Sequence, residues 1–161
     1  LRKISSETYT ERVIRQAIKN DIAIYCCHTP VDKSRNGISF KMATELGLEN
    51  IDFLDKDAAN DFGLGIIGSL KQALDPTDFV KLVKEKFSLP IIRHSQFPDN
   101  QIKTVAFCGG SGASLINKAL AKQADAYICG DIKHHDYFNS LAGILLIDAG
   151  HFETEIAIKD F

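Results

Sequence analysis

Residues 103–130, KTVAFCGGSGASLINKALAKQADAYICG, decide the fold. KTVAFC (103–108) reads as a strand and GGSG (109–112) as a Gly-rich turn. ASLINKALAKQ (113–123) reads as a helix and DAYICG (125–130) as a second strand, because the period of apolar residues switches from strand to helix and back. Strands separated by helices imply right-handed crossovers and a largely parallel sheet with helices on both faces. The class is therefore α/β.

Working outward, GILLID (143–148) adds a strand downstream and PIIRHS (90–95) one upstream. DPTDFVKLVKEKF (75–87) predicts a helix with Asp75 as N-cap, Pro76 at the first helical position and Asp78 in the first turn. ISFKMATELGL (38–48) is helical, and IDFL (51–54) is a short strand. IAIYCCH (22–28) is too short and too continuously apolar for a surface helix, so a buried strand ending at His28 is expected, followed by a loop, TPVDKSRNG. SSETYTERVIRQAIKND (5–21) offers Ser6 as an N-cap, with Val13, Ile14, Ala17 and Ile18 on one helical face. Polar, Gly-punctuated DKDAANDFGLGIIG (55–68) reads as linker material. It divides a first α/β half, 1–55, from a second, 69–161, with 56–68 as linker or insertion point.

Composition narrows the function. The 161 residues are 45% apolar, enough for a substantial core. Lys plus Arg (19) nearly balance Asp plus Glu (21), so no field reaches out for nucleic acid or anionic membranes. No segment approaches the roughly 20 apolar residues of a spanning helix, and LRKISSETYTER lacks the apolar core of a signal peptide. A soluble protein is expected. Cys26, Cys27, Cys108 and Cys129 show no C-x-x-C spacing and lie in apolar stretches. They read as reduced core residues, which points to the cytoplasm. A first residue Leu and an ending in mid-pattern suggest an internal piece of a longer protein.

Sites in such sheets gather beyond the carboxyl ends of the strands. The segments there are CHTPVD (27–32), CGGSG (108–112), GDIKHHD (130–136) and DAGHFETE (148–155), which hold four of the five histidines. His151 and Glu155 lie one helical turn apart and can grip one metal ion, or simply hydrogen-bond at a helix start. Asp32 can add a third ligand or bridge two ions. Imidazole with carboxylates suits Zn, Mn, Fe or Ni better than Ca or Mg. His134 and His135 are ligands, orienting groups, acid/base groups or plain polar turn residues. As neighbours they seldom face one point, so at most one enters a given site. The amides of Gly109, Gly110, Ser111 and Gly112 can cradle an anion, or the segment is only a tight turn. It has neither the third Gly of G-x-G-x-x-G nor the G-K-[ST] of NTPases. No G-x-S-x-G elbow and no cysteine in an electropositive setting supports nucleophilic catalysis.

HTPVD, VAFCGGSGASL, ADAYICGDIKHHD and LIDAGHFETE, in that order, resemble the Nif-three-like family, whose members are commonly labelled GTP cyclohydrolase 1 type 2 homologs. The resemblance covers nearly the whole chain and is most specific in its last third. It implies that His151 and Glu155 bind metal and that Asp32 bridges two divalent ions per subunit. His28 would lie beside them, His134 and His135 would face the same cavity, and His28 or one of that pair would move protons. It also implies a two-part α/β fold, sometimes with an inserted domain near FLDKDAANDFGLG, and a ring-shaped hexamer with metals facing an internal cavity. The family's pair of adjacent histidines upstream has no counterpart in these residues. Three ligands would hold one ion weakly, so this piece is expected to be metal-free or partly loaded and inactive alone. The implied activity is metal-dependent hydrolysis of a nucleotide-like or phosphorylated small molecule, with GTP ring opening as the inherited label. The alternatives are a non-enzymatic metal-binding scaffold or regulator acting through partners, and a ring encircling nucleic acid, which the near-neutral charge disfavours.

Overall fold

The first helix begins where Thr8 and Glu11 close a reciprocal cap. In the computed structural model, which describes residues 4–25, 28–57, 59 and 61–160, α1 runs Tyr9–Lys19. The Thr8 hydroxyl accepts from the Glu11 amide at 3.2 Å, and the Glu11 carboxylate accepts from the Thr8 amide at 3.3 Å. Thr8 replaces the expected Ser6 as cap because it has a glutamate three residues on. Of the expected apolar face, Ala17 is buried while Val13 and Ile18 are exposed.

Residues 22–25, expected as a buried strand, form none, and Ile22, Ile24 and Tyr25 are exposed. A strand needs a neighbour to take its backbone hydrogen bonds, and among the described residues none pairs with this run. Cys26 and Cys27 lie outside the described residues. The expected loop after His28 starts instead with a short helix, α2 (Thr29–Asp32), with Pro30 in its first turn. Helix α3 follows at Ile38–Glu45.

β1 (Glu49–Lys56) and β2 (Gly63–Leu74) form an antiparallel hairpin. Residues 63–68, expected as linker, are thus the first half of a long strand. Their glycines answer to packing rather than flexibility: a Cβ on Gly63 would lie 2.5 Å from the Asp55 carbonyl oxygen and 2.8 Å from the Phe53 side chain. Helix α4 (Pro76–Lys86) starts as the sequence predicts, with the Asp75 carboxylate accepting from the Thr77 amide at 2.8 Å and Phe79, Val80 and Val83 turned inward. The chain then runs through β3 (Arg93–His94), β4 (Ile102–Ser111), α5 (Ile116–Ala121), β5 (Ala126–Gly130), a 3₁₀ segment at His134–Ala142, β6 (Leu145–Asp148) and α6 (His151–Glu155).

One sheet joins all six strands in the order β1-β2-β4-β5-β6-β3 and runs through both sides of the 56–68 stretch. The expectation of parallel pairing holds at its centre, where β4, β5 and β6 are parallel. The β1-β2, β2-β4 and β3-β6 pairs are antiparallel, so the sheet is mixed. Both faces are covered. Ile66, Phe107, Ile128 and Ile147 pack with residues of α3 and α4 on one side. Ala106, Cys108, Tyr127, Cys129 and Leu146 pack with Ile116 and Ala119 of α5 on the other. Near-continuous apolar runs such as VAFC are buried on both faces, as central parallel strands require. Among the described residues no helix is long and apolar enough to cross a membrane.

Candidate metal centre

Strand β6 delivers the opening residue of α6 to the sheet edge. Gly150 makes the turn at φ +86°, and a Cβ there would lie 2.1 Å from Glu153 Oε2. The buried Asp148 carboxylate accepts from the Gly150 amide at 3.1 Å and pairs with the Arg93 guanidinium. Buried Thr154 ties α6 to β4: its hydroxyl accepts from the Gly110 amide at 2.9 Å and donates to the Gly150 carbonyl at 2.7 Å.

With α6 so fixed, His151 and Glu155 share a face, Nε2 to Oε2 at 3.5 Å. They lie directly over Gly110, where a Cβ would stand 2.2 Å from Glu155 Oε1 and 3.1 Å from His151 Nε2. The other ring nitrogen, Nδ1, is 2.7 Å from Asp131 Oδ2. A carboxylate can only accept, so Nδ1 carries the hydrogen and a neutral ring turns its Nε2 lone pair toward Glu155. Asp131 was not among the residues singled out from sequence. It sits just past β5 at φ +59°, and its one sequence signal is its place in the strand-end segment GDIKHHD.

Asp32 ends α2 more than a hundred positions earlier in the chain, yet it belongs to the same locality. Burial, and after it the Glu155 charge, raises its carboxyl above the ordinary carboxylate range, against the opposing pull of His28 and His151. His151 is likewise raised, first by its hydrogen bond to Asp131 and then by the charges of Glu155, Asp131 and Asp32, with burial opposing. Two carboxylates and an imidazole nitrogen therefore share one locality. That chemistry fits a divalent cation, and a carboxylate behind the second ring nitrogen is the usual way a metal-binding histidine is oriented. The side chains do not close fully as they stand: among the described residues, no three His, Cys, Asp or Glu groups are near enough together to hold an ion. Asp32 is within electrostatic rather than coordinating reach.

His28 holds the N-cap position of α2, exposed, with Nδ1 3.1 Å from Thr29 Oγ1, and stays within electrostatic reach of Asp32. His134 and His135 pack edge-to-face at 5.5 Å and both meet Phe138. His134 lines a cavity whose walls include none of Asp32, His151 and Glu155. The anion cradle also loses two donors. The Gly109 amide donates to the Ser39 hydroxyl at 3.3 Å and the Gly110 amide to Thr154, while Ser111 ends the β4 ladder beside Gly130. Cys108 and Cys129 are buried and unpaired, and burial pushes both thiols up to about 12.

The family model for Duf34/NIF3 (NGG1p interacting factor 3) matches residues 1–160. The chain belongs to the Duf34/NIF3 family. Within it, the chain is similar to the GTP cyclohydrolase 1 type 2 homolog of Streptococcus pneumoniae, 41% identical over 150 residues, covering 88% of this chain and 55% of that protein. Its similarity to the homolog of Lactococcus lactis is 34% over 163 residues, 99% of this chain and 62% of that one. The chain thus spans just over half the length of these curated relatives. Among solved structures, Staphylococcus aureus hypothetical protein SA1388 superimposes with a TM-score of 0.87 at 25% identity, covering 99% of this chain and 65% of that chain. Reduced HcgD from Methanocaldococcus jannaschii gives 0.78 at 27%, covering 100% and 62%. The mixed α/β sheet flanked by helices is accordingly the Duf34/NIF3 fold.

Proposed function

We propose that this Duf34/NIF3 chain carries part of a divalent-metal centre in a hydrolase of nucleotide-like or phosphorylated small molecules. The observation that carries the reading is the pinned imidazole: His151 Nδ1 held by Asp131 at 2.7 Å, with Nε2 turned to Glu155. His151, Glu155 and Asp32 are the ligands, with Asp32 suited to bridging two ions where further donors supply the rest of a dinuclear site. A divalent ion there supplies Lewis acidity, polarising the attacked bond and acidifying water. Asp131 keeps the histidine in the ligand tautomer. Thr154 and Gly110 hold α6 at the distance that the two side chains need. His28, exposed and within electrostatic reach of Asp32, is the group free to move a proton. A ring-shaped hexamer in a reducing cytoplasm goes with this reading, and the two buried, unpaired thiols are compatible with the reducing compartment alone.

Calorimetric titration with Zn or Mn tests the ligand set. Substituting His151→Ala or Glu155→Ala abolishes binding, and Asp131→Asn weakens it by about 10- to 100-fold. Wild-type affinity in the His151→Ala protein would remove the assignment. A screen of the metal-loaded full-length protein against nucleotides and phosphorylated metabolites separates hydrolase from scaffold, since a scaffold binds metal and turns nothing over.

A further inference from the structure

A second cavity, of about 620 Å³, opens between β3 and the 3₁₀ segment. That volume lies inside the roughly 300–1,000 Å³ range of small-molecule sites. Its walls are rings. On one side His94 stacks on Phe97 with centroids 4.5 Å apart and planes 15° from parallel. On the other, His134 meets Phe138 edge-to-face at 5.6 Å. Phe138 and Leu141 are 60% and 83% exposed, so the slot presents bare apolar surface.

Polar groups converge on the same space. His94 Nδ1 lies 2.7 Å from the Ser95 carbonyl oxygen and so carries the hydrogen, which leaves Nε2 as an acceptor while the ring is neutral. His134 has no hydrogen-bond partner among the described residues. Arg93 spends one nitrogen on buried Asp148, but its side chain is 68% exposed, and a guanidinium has five N–H donors. Tyr137 is also in the lining, and its hydroxyl has no hydrogen-bond partner among the described residues.

We propose that this cavity binds a planar heteroaromatic anion, with its ring between the His94 and His134–Phe138 walls and its charge at the Arg93 guanidinium. Aromatic walls favour a flat π-system without selecting one base. Ring nitrogens with one unspent acceptor and one unspent pair suit a heterocycle better than a hydrocarbon, and the exposed guanidinium suits a phosphate or carboxylate substituent. The site is separate from the metal centre, and the proposal stands without the hydrolase reading.

Titration of the metal-free protein by NMR, observing the ring signals of His94 and His134, tests it with three probes: a purine nucleoside monophosphate, the parent nucleoside and ribose 5-phosphate. The monophosphate is expected to shift both rings saturably below about 5 mM. The nucleoside should bind more weakly, and the difference should shrink in about 0.5 M salt as the charge is screened. Ribose 5-phosphate should leave both rings unmoved. Phe138→Ala, at an exposed position, should weaken the monophosphate by roughly five- to a hundredfold, while Tyr9→Ala, an exposed ring on α1, should change nothing. Equal affinity for ribose 5-phosphate and the monophosphate overturns the ring slot. Equal affinity for the nucleoside and the monophosphate overturns the anion contact. Unmoved histidine signals, with Phe138 and Leu141 signals that broaden as protein concentration rises, mean that a second copy covers the slot, and overturn the proposal.

Discussion

Replacing Thr154 by valine removes one hydroxyl and keeps the side chain's shape. In the wild type that hydroxyl accepts from the Gly110 amide at 2.9 Å and donates to the Gly150 carbonyl at 2.7 Å, and the residue is fully buried. The Gly150 carbonyl keeps a second partner, the Thr154 amide at 3.2 Å, so valine orphans one buried group, the Gly110 N–H. An orphaned buried donor costs about 1–3 kcal/mol. For a chain of this length each kcal/mol lowers the melting temperature by about 2–4 °C, which gives a fall of roughly 2–12 °C. Thr154→Ser keeps the hydroxyl and loses one methyl, about 1 kcal/mol. The assay is thermal unfolding of the three proteins, with amide exchange at Gly110 as the local readout. Exchange should quicken in the valine variant and stay slow in the serine variant. Thr154→Val melting with the wild type, and protecting Gly110 as well, would refute the claim that this hydroxyl ties α6 to β4.

Further outcomes follow from the same edge of the sheet. Gly110→Ala places a Cβ 2.2 Å from Glu155 Oε1 at φ +64°, whereas Gly143→Ala meets nothing within 4 Å at φ +89°. Both should lose about 1–2 kcal/mol to backbone strain, but calorimetry should find metal affinity cut by at least about tenfold in Gly110→Ala only. Cys108 and Cys129, raised from 9.0 to about 12, keep their protons in the folded state after the unfolded chain has lost them. Their contribution is complete below pH 9 and is lost as pH rises from 9 toward 12, by up to about 1.4 kcal/mol per pH unit each. Urea midpoints measured across that window should decline, and the decline should shrink in a Cys108→Ala, Cys129→Ala protein.

The centre of this fold is written locally. VAFC and YICG are apolar on both faces because both faces are covered, and Asp75-Pro76 starts a helix by its own chemistry whatever surrounds it. IAIY has the same composition as those strands but lies in the open, because strand formation depends on a partner that composition does not specify. GLGIIG reads as linker for the converse reason: its glycines reflect how closely β1 passes, which is knowledge of a neighbour. The site divides along the same line. His151 and Glu155 are four apart and visible as a pair, and Asp32 is visible as a carboxylate at a polar segment. Asp131, Thr154, Ser39 and Gly110 matter here through atoms brought from other helices and strands. No spacing rule reaches them.

The donors of this centre are joined by tertiary structure alone. Among the described residues Asp32 precedes every strand of the sheet, and Glu155 follows the last of them. Between the two lie two parallel crossovers, contacts of high sequence separation that form slowly. Asp32 and α6 therefore come together only once the sheet between them has formed. Under the proposed ligand set, metal uptake would report that docking and so time the completion of the sheet.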